Sequence, residues 1–227
     1  MIIGGMVKNS FVDFPHKIAC VVFTVGCNFN CWYCHNSHLV DKNHKTKITE
    51  AQVFEFLKQR KGFVDGVVVS GGEPTLQYDL IDFISKVKEM GYLVKLDTNG
   101  SNYKILKYLI DNNLVDYVAM DIKAPLDDYH KIIGVDTDIE QIKSSINLLL
   151  QNKVDYEFRT TYSPDLNAND IEEICKTIAG AKNYSIQKYR LVEYNKVNMM
   201  PRSREEHLLA QEIARKYVHN VVLKGVD

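Results

Sequence analysis

About six times, this chain of 227 residues passes from a short apolar run through a loop into an amphipathic helix. The runs at 18–25, 66–70, 93–97, 117–121, 155–161 and 185–189 read as strands, and a last short one at 221–223 closes the series. Apolar residues at helical spacing follow at 50–62, after Thr49 as an N-cap, and at 78–90, 103–112, 138–151, 169–179 and 203–216. Strands that alternate with helices predict a parallel sheet under helical cover. The first run, IACVVFTV, is unbroken and β-branched, as a strand buried on both faces should be.

Such a sheet stays open as a doubly wound fold or curls into a barrel. The first strand leads into no P-loop and no glycine-rich dinucleotide loop. Instead, polar or glycine-rich motifs stand at the C-terminal ends of the first four strands, as on a barrel rim. The expectation is an α/β chain folded as one domain, 1–227: a partial (β/α)6 TIM-like barrel. Residues 2–15 read as a small hairpin, or a strand with a turn, that would cover the bottom of the core. Residues 41–47 and 195–202 read as loops, the first solvated and flexible, and His130 and His207 as surface residues.

Composition narrows the function. The formal net charge is -1, with no basic tail, which argues against nucleic-acid binding as the main activity. No apolar run approaches the roughly 18 residues of a membrane span. Of five cysteines, three fall within residues 27–34, unlike a disulfide framework. Clustered free thiols fit a reducing cytoplasm and a metal or cluster site. Cys20 and Cys175 read as core residues.

Cys27, Cys31 and Cys34 follow the first strand with the spacing C-x3-C-x2-C. Zinc would need a fourth ligand, which His35 or His38 could supply. Three thiolates without a fourth also fit a four-iron cluster with one iron open to a further ligand. Three unrelated thiols are the remaining alternative.

CNFNCWYC resembles the CxxxCxxC signature of the radical S-adenosylmethionine superfamily. That resemblance implies that Cys27, Cys31 and Cys34 bind one 4Fe-4S cluster, and that the open iron chelates the amino and carboxylate groups of S-adenosylmethionine. It places Tyr33 near the adenine and the SGGEP segment, with Gly71, Gly72 and Glu73, along the methionine amino group. LDTNG at 96–100 and MDIKAP at 120–125 resemble the glycyl-radical-enzyme activating enzymes. The stretch KNSFVDFPHKIACVVFTVGCNFNCWYCHN is similar to activating proteins of anaerobic ribonucleoside-triphosphate reductase. Activating enzymes of this group adopt a partial (β/α)6 barrel, and some carry eight further cysteines for two more clusters. This chain has no such insert, so a single cluster is implied.

The resemblance implies reductive cleavage of S-adenosylmethionine to a 5'-deoxyadenosyl radical, which generates a glycyl radical on the reductase. A low-potential donor such as flavodoxin or ferredoxin would supply the electron. Pyruvate formate-lyase as the partner, a small-molecule substrate, and a non-catalytic zinc-binding interaction module are the alternatives. In pyruvate formate-lyase activating enzyme, residues matching Asp97, Asp121 and Lys123 lie at the mouth of the site, and the two aspartates help bind a monovalent cation. Asn99 stands two residues beyond Asp97 at the same strand end. Arg159, in the alternating segment EFRTTYSP, would point inward towards the S-adenosylmethionine carboxylate. His35 would tune the cluster or hold its loop, Gln187 would close the adenosine pocket, and Glu73 would meet the methionine amine or pin its own loop.

Overall fold

The structure is a computed structural model that describes residues 1–40, 48–191 and 199–226. The expected loop at 41–47 and residues 195–198 of the expected loop at 195–202 lie outside the described residues. One eight-stranded sheet runs in sequence order: β1 (Ile3–Phe14), β2 (Lys17–Thr24), β3 (Gly66–Gly71), β4 (Leu93–Thr98), β5 (Tyr117–Asp121), β6 (Asp155–Tyr162), β7 (Asn183–Lys188) and β8 (Asn220–Lys224). All pairs from β2 to β8 are parallel, and β1 is antiparallel to β2.

Helices fill the parallel crossovers: α1 (Glu50–Gln59), α2 (Leu80–Glu89), α3 (Tyr103–Asp111), α4 (Tyr129–Ile133), α5 (Ile139–Leu150), α6 (Ala168–Thr177) and α7 (Arg204–Ala214). This is the α/β fold of a partial (β/α) barrel, whose strand order runs from β1 to β8 without closing on itself. The hairpin is larger than residues 2–15. That segment is a single strand, and its partner is β2 itself, with the turn at Pro15 and His16. Its Gly4-Gly5 pair sits inside the strand.

Helix starts follow the side chains that satisfy their free amides. Thr49 caps α1 by accepting from the Gln52 amide, and the Gln52 side chain in turn accepts from the Thr49 amide. Asn167 with Asp170 and Ser203 with Glu206 do the same for α6 and α7. A short helix, α4, occupies part of the connection expected before α5, and Gly134 ends it in the left-handed region at φ 67°.

Period-two alternation divides each strand between two environments. The helix-facing side is apolar: Cys20 and Val22, Val67 and Val69, Val94 and Leu96, Val118 and Met120, Tyr156 and Phe158 pack under the helices. Cys20 and Cys175 are buried there, as expected of core thiols. The concave side has a small apolar floor of Phe14, Ala19, Val21 and Val68. Above that floor it turns polar.

His207 is not a surface residue. It is fully buried, its Nδ1 lies 2.7 Å from the Ser203 carbonyl, and its ring stands edge-on to Tyr162. With Ala210 and Ala214 it forms the inner stripe of α7 at spacing i, i+3, i+7. Two alanines and a histidine make that stripe look polar in sequence. His130 is exposed, as expected.

Candidate active site

The parallel register brings the C-terminal ends of β2 to β7 to one level, and the loops there meet over one cavity of about 380 Å³. Cys27, Cys31 and Cys34 line it together with Tyr33, Gly71, Gly72, Glu73, Asp97, Asn99, Asp121, Lys123 and Arg159. These candidate cofactor ligands therefore line one space, whereas His38, a candidate zinc ligand, is not among its lining residues. His35 and Gln187 line it too.

The cysteine loop is tied down on three sides. Its Gly26 amide donates to the Leu39 carbonyl at 2.7 Å, and the Asn30 amide donates to Ile133 at 2.8 Å. The Asn36 side chain donates to the Gly71 carbonyl, and Asn28 accepts from Asn99 and donates to Ser101. The Trp32 indole donates to Asp165 at 2.6 Å, and its ring packs on Tyr33 and Tyr189. The asparagines that crowd this segment thus fasten it to the neighbouring strand ends.

Gly71 and Gly72 are required by the chain's own packing. At Gly71, with φ 118°, an added Cβ would stand 2.2 Å from the Thr24 nitrogen. At Gly72 it would stand 2.1 Å from the Gly26 oxygen. The end of β3 is therefore pressed against the start of the cysteine loop, with the Glu73 amide donating to Gly26 at 2.9 Å.

Glu73 is buried and uses both carboxylate oxygens inside the protein. One accepts from the Thr75 amide, the Thr75 hydroxyl and the Thr98 hydroxyl; the other accepts from the Asn99 amide at 2.7 Å. It clips the end of β3 to the end of β4. Burial raises its pKa above the ordinary carboxylate value, against the lowering effect of those four donors.

Asp97 and Asp121 sit in a web of cations. Asp97 accepts from Lys95 at 2.5 Å and from Ser70 at 3.0 Å, and Arg159 stands 3.3 Å away. Asp121 accepts from Arg159 at 2.8 Å and from Lys123 at 3.0 Å. Burial opposes ionisation of both aspartates, but Arg159 first, then Lys95 beside Asp97 and Lys123 beside Asp121, holds their pKa values below the usual range. Arg159 points inward, as the alternation implies, and both of its anionic partners belong to the chain.

Lys95 went unnoticed in the sequence, as did Asp13 and Thr161 of the cavity wall. Lys95 could have been found, because it precedes Asp97 by two and so shares its strand face. Asp13 had no such signal. It reaches the cavity only because β1 folds back along β2.

Burial pushes the Cys27 thiol up to about 12 and raises Cys31 as well, with Lys123 opposing in both. Such thiols are held neutral until a cationic metal centre displaces their protons. Among the described residues, no group of three or more Cys, His, Asp and Glu side chains is gathered to hold one metal ion. A single zinc needs its donors within about 2.0–2.3 Å of one point. A 4Fe-4S cluster spreads its thiolates over several irons. Cys27, Cys31 and Cys34 stand on one pinned loop and line one cavity, an arrangement that leaves both donor sets to be tested.

The sequence profile described as the Radical SAM superfamily matches residues 21–178. This chain belongs to the radical SAM superfamily. It is 38% identical over 240 residues to a protein of Methanocaldococcus jannaschii provisionally named a glycyl-radical enzyme activating enzyme, covering 100% of this chain and 97% of the relative. A second protein of that organism with the same provisional description is 29% identical, covering 97% of this chain and 85% of the relative. The chain is therefore a homologue of glycyl-radical-enzyme activating enzymes as a group. In fold it is similar to Streptococcus suis SuiB bound to S-adenosylmethionine, with TM-score 0.73 and 16% identity, covering 90% of this chain and 50% of SuiB. The chain thus spans half of SuiB's length. Membership of the superfamily makes this protein a radical SAM oxidoreductase with S-adenosylmethionine as its cofactor. Among the described residues no helix is long and apolar enough to cross a membrane.

Proposed function

We propose that this protein activates a glycyl radical enzyme by forming the glycyl radical on it, with one 4Fe-4S cluster on Cys27, Cys31 and Cys34. The observation that carries this reading is the single cavity that joins those thiols to the ends of β3, β4, β5 and β6. Its volume suits one cofactor-sized ligand. When bound, cluster and S-adenosylmethionine together supply a 5'-deoxyadenosyl radical, the species that takes hydrogen from a carbon.

The chain supplies position and exclusion of water. Backbone carbonyls around Gly71 and Gly72 accept from the methionine ammonium, while Glu73 keeps that loop rigid. The buried Tyr33 ring forms an apolar wall for the adenine. Asn99, Asp121 and Lys123 offer polar contacts to the cofactor and to the backbone of the entering glycine segment, and Arg159 faces the carboxylate side. Gln187 and His35 bound the remaining wall.

The relatives support activation of a glycyl radical enzyme in general better than activation of one particular partner. Anaerobic ribonucleoside-triphosphate reductase and pyruvate formate-lyase are the two partners to test, with flavodoxin or ferredoxin as electron donor. The protein would be reconstituted anaerobically, reduced, and mixed with each partner and S-adenosylmethionine. A glycyl doublet in the electron-spin spectrum of one mixture is the expected result, and that mixture names the partner. Cofactor cleavage with no doublet on any partner would turn the assignment to a small-molecule substrate. One tight zinc and no cleavage would overturn it altogether.

A further inference from the structure

The resemblance to pyruvate formate-lyase activating enzyme brings with it a monovalent cation beside Asp97 and Asp121. The residues here do not fit one. An alkali cation needs carboxylate oxygens that no other cation already neutralises, and each of these four oxygens stands within 3.3 Å of an ammonium or guanidinium of the chain. Lys95 takes one oxygen of Asp97 at 2.5 Å; Ser70 and Arg159 share the other at 3.0 and 3.3 Å. Arg159 takes one oxygen of Asp121 at 2.8 Å, and Lys123 takes the other at 3.0 Å.

Three cationic groups therefore surround two carboxylates, and the cluster is already net positive. Glu157, on the same concave face, does not reverse that sum, since Lys224 and Ser185 hold it at 2.8 and 2.7 Å. Lys95 is no loosely held surface lysine. It is 2% exposed, and its ammonium stands 6.0 Å from the centre of the Tyr117 ring. An alkali ion entering here would have to displace a buried, paired ammonium or guanidinium.

We propose that Lys95 and Arg159 fill the cation position permanently, so that this enzyme binds S-adenosylmethionine without an alkali cation. Lys95 is then a positioning residue. It neutralises Asp97 from below and fixes it at the cavity wall, the task an exchangeable ion would otherwise perform. Its place on β4, two residues before Asp97, puts both groups on the concave face in every copy of the chain. The consequence for S-adenosylmethionine rests on the reading of the cavity given above; the occupancy of the cation position does not.

The test uses chloride buffers of potassium, sodium and tetramethylammonium at equal ionic strength. Thallium-205 resonance on the cluster-free protein reports alkali-type binding directly, and calorimetry on the reconstituted protein reports S-adenosylmethionine affinity. The wild type should show no saturable thallium binding and affinities within about twofold across the three buffers. Lys95→Met should acquire saturable thallium binding and an affinity that potassium or sodium raises by about tenfold over tetramethylammonium. Lys95→Arg should behave as wild type, an outcome that lost packing alone would not produce. Saturable thallium binding by the wild type, or a tenfold gain in its affinity with potassium, overturns the proposal. If Lys95→Met does not fold, the wild type and Lys95→Arg still decide. Failure to bind S-adenosylmethionine in any buffer would count against the functional reading, and the thallium result would still settle the occupant.

Discussion

The two faces of this sheet are built from the same strands and serve opposite ends. On β6, Tyr156 and Phe158 sink into the helix-covered core, while Glu157 and Arg159 alternate with them on the concave face, where Arg159 lines the cavity. On β4, Val94 and Leu96 alternate with Lys95 and Asp97. The outer face gains free energy by removing apolar surface from water. The inner face spends some of it, because buried charges lose hydration that their ion pairs only partly return. Stability and function are thus separated by one residue along the strand.

Substitutions that respect or violate this division test it, and the largest effect belongs to the rim. Cys34→Ala should abolish iron incorporation and S-adenosylmethionine cleavage, a loss of at least about a thousandfold in rate. Because Cys34 is only half-buried on a pinned loop, the urea midpoint of the cluster-free protein should barely move. A large fall in that midpoint would mean that loop and core are not separable.

On the outer face, Phe158→Ala should destabilise the cluster-free protein by about 3–5 kcal/mol in urea unfolding, through lost burial and the cavity left behind. Arg159→Met, one residue along, should cost about 2–3 kcal/mol by a different route, since it leaves two partly buried carboxylates short of a partner. The double variant Arg159→Met with Asp121→Asn should recover part of that loss, whereas no neutralisation would rescue Phe158→Ala. Equal failure of both rescues would erase the distinction between the faces.

A smaller effect comes from Glu73. Glu73→Gln keeps one acceptor oxygen and places an amide group against donors, so a loss of about 1–3 kcal/mol is expected in the same assay. No change would show that the clip between β3 and β4 is redundant.

The smallest effect is in pH dependence, and its sign follows from the aspartates. Asp97 and Asp121 have pKa values depressed in the folded chain. Their contribution is therefore present above the unfolded value of about 3.9 and is lost as pH falls through the folded values. Glu73, raised by burial, works in the opposite sense and gains as pH falls. Wild-type stability should decline below about pH 4, and Asp121→Asn should flatten that decline. An unchanged slope in the variant would refute the assignment of acid sensitivity to the concave face.

The sequence was legible wherever one local period decided the outcome. The β-branched run at 18–25, the Thr49 cap and the glycine stops all act over a few residues, so strand and helix positions follow within a turn. The site motifs were legible for a related reason. A parallel sheet delivers every strand end to the same rim, and residues at strand ends must meet there. Partners across strands were not legible. Glu73 reads equally as ligand contact and as loop clip until Thr98 and Asn99 of the neighbouring strand end are seen beside it. His207 reads as exposed until Tyr162 stands against its ring.

What the sequence alone determined is the parallel α/β plan and the placing of three closely spaced cysteines on one loop, because spacing and periodicity are local properties of a chain. Tertiary structure alone decided that β1 brings Asp13 to the cavity, that the two glycines serve the contact between β2 and β3, and that Arg159 stands against Asp97. Those outcomes depend on how separate strands are paired and registered. Register is fixed only when the apolar face of the whole sheet is buried at once, and that carries the charged face to its place.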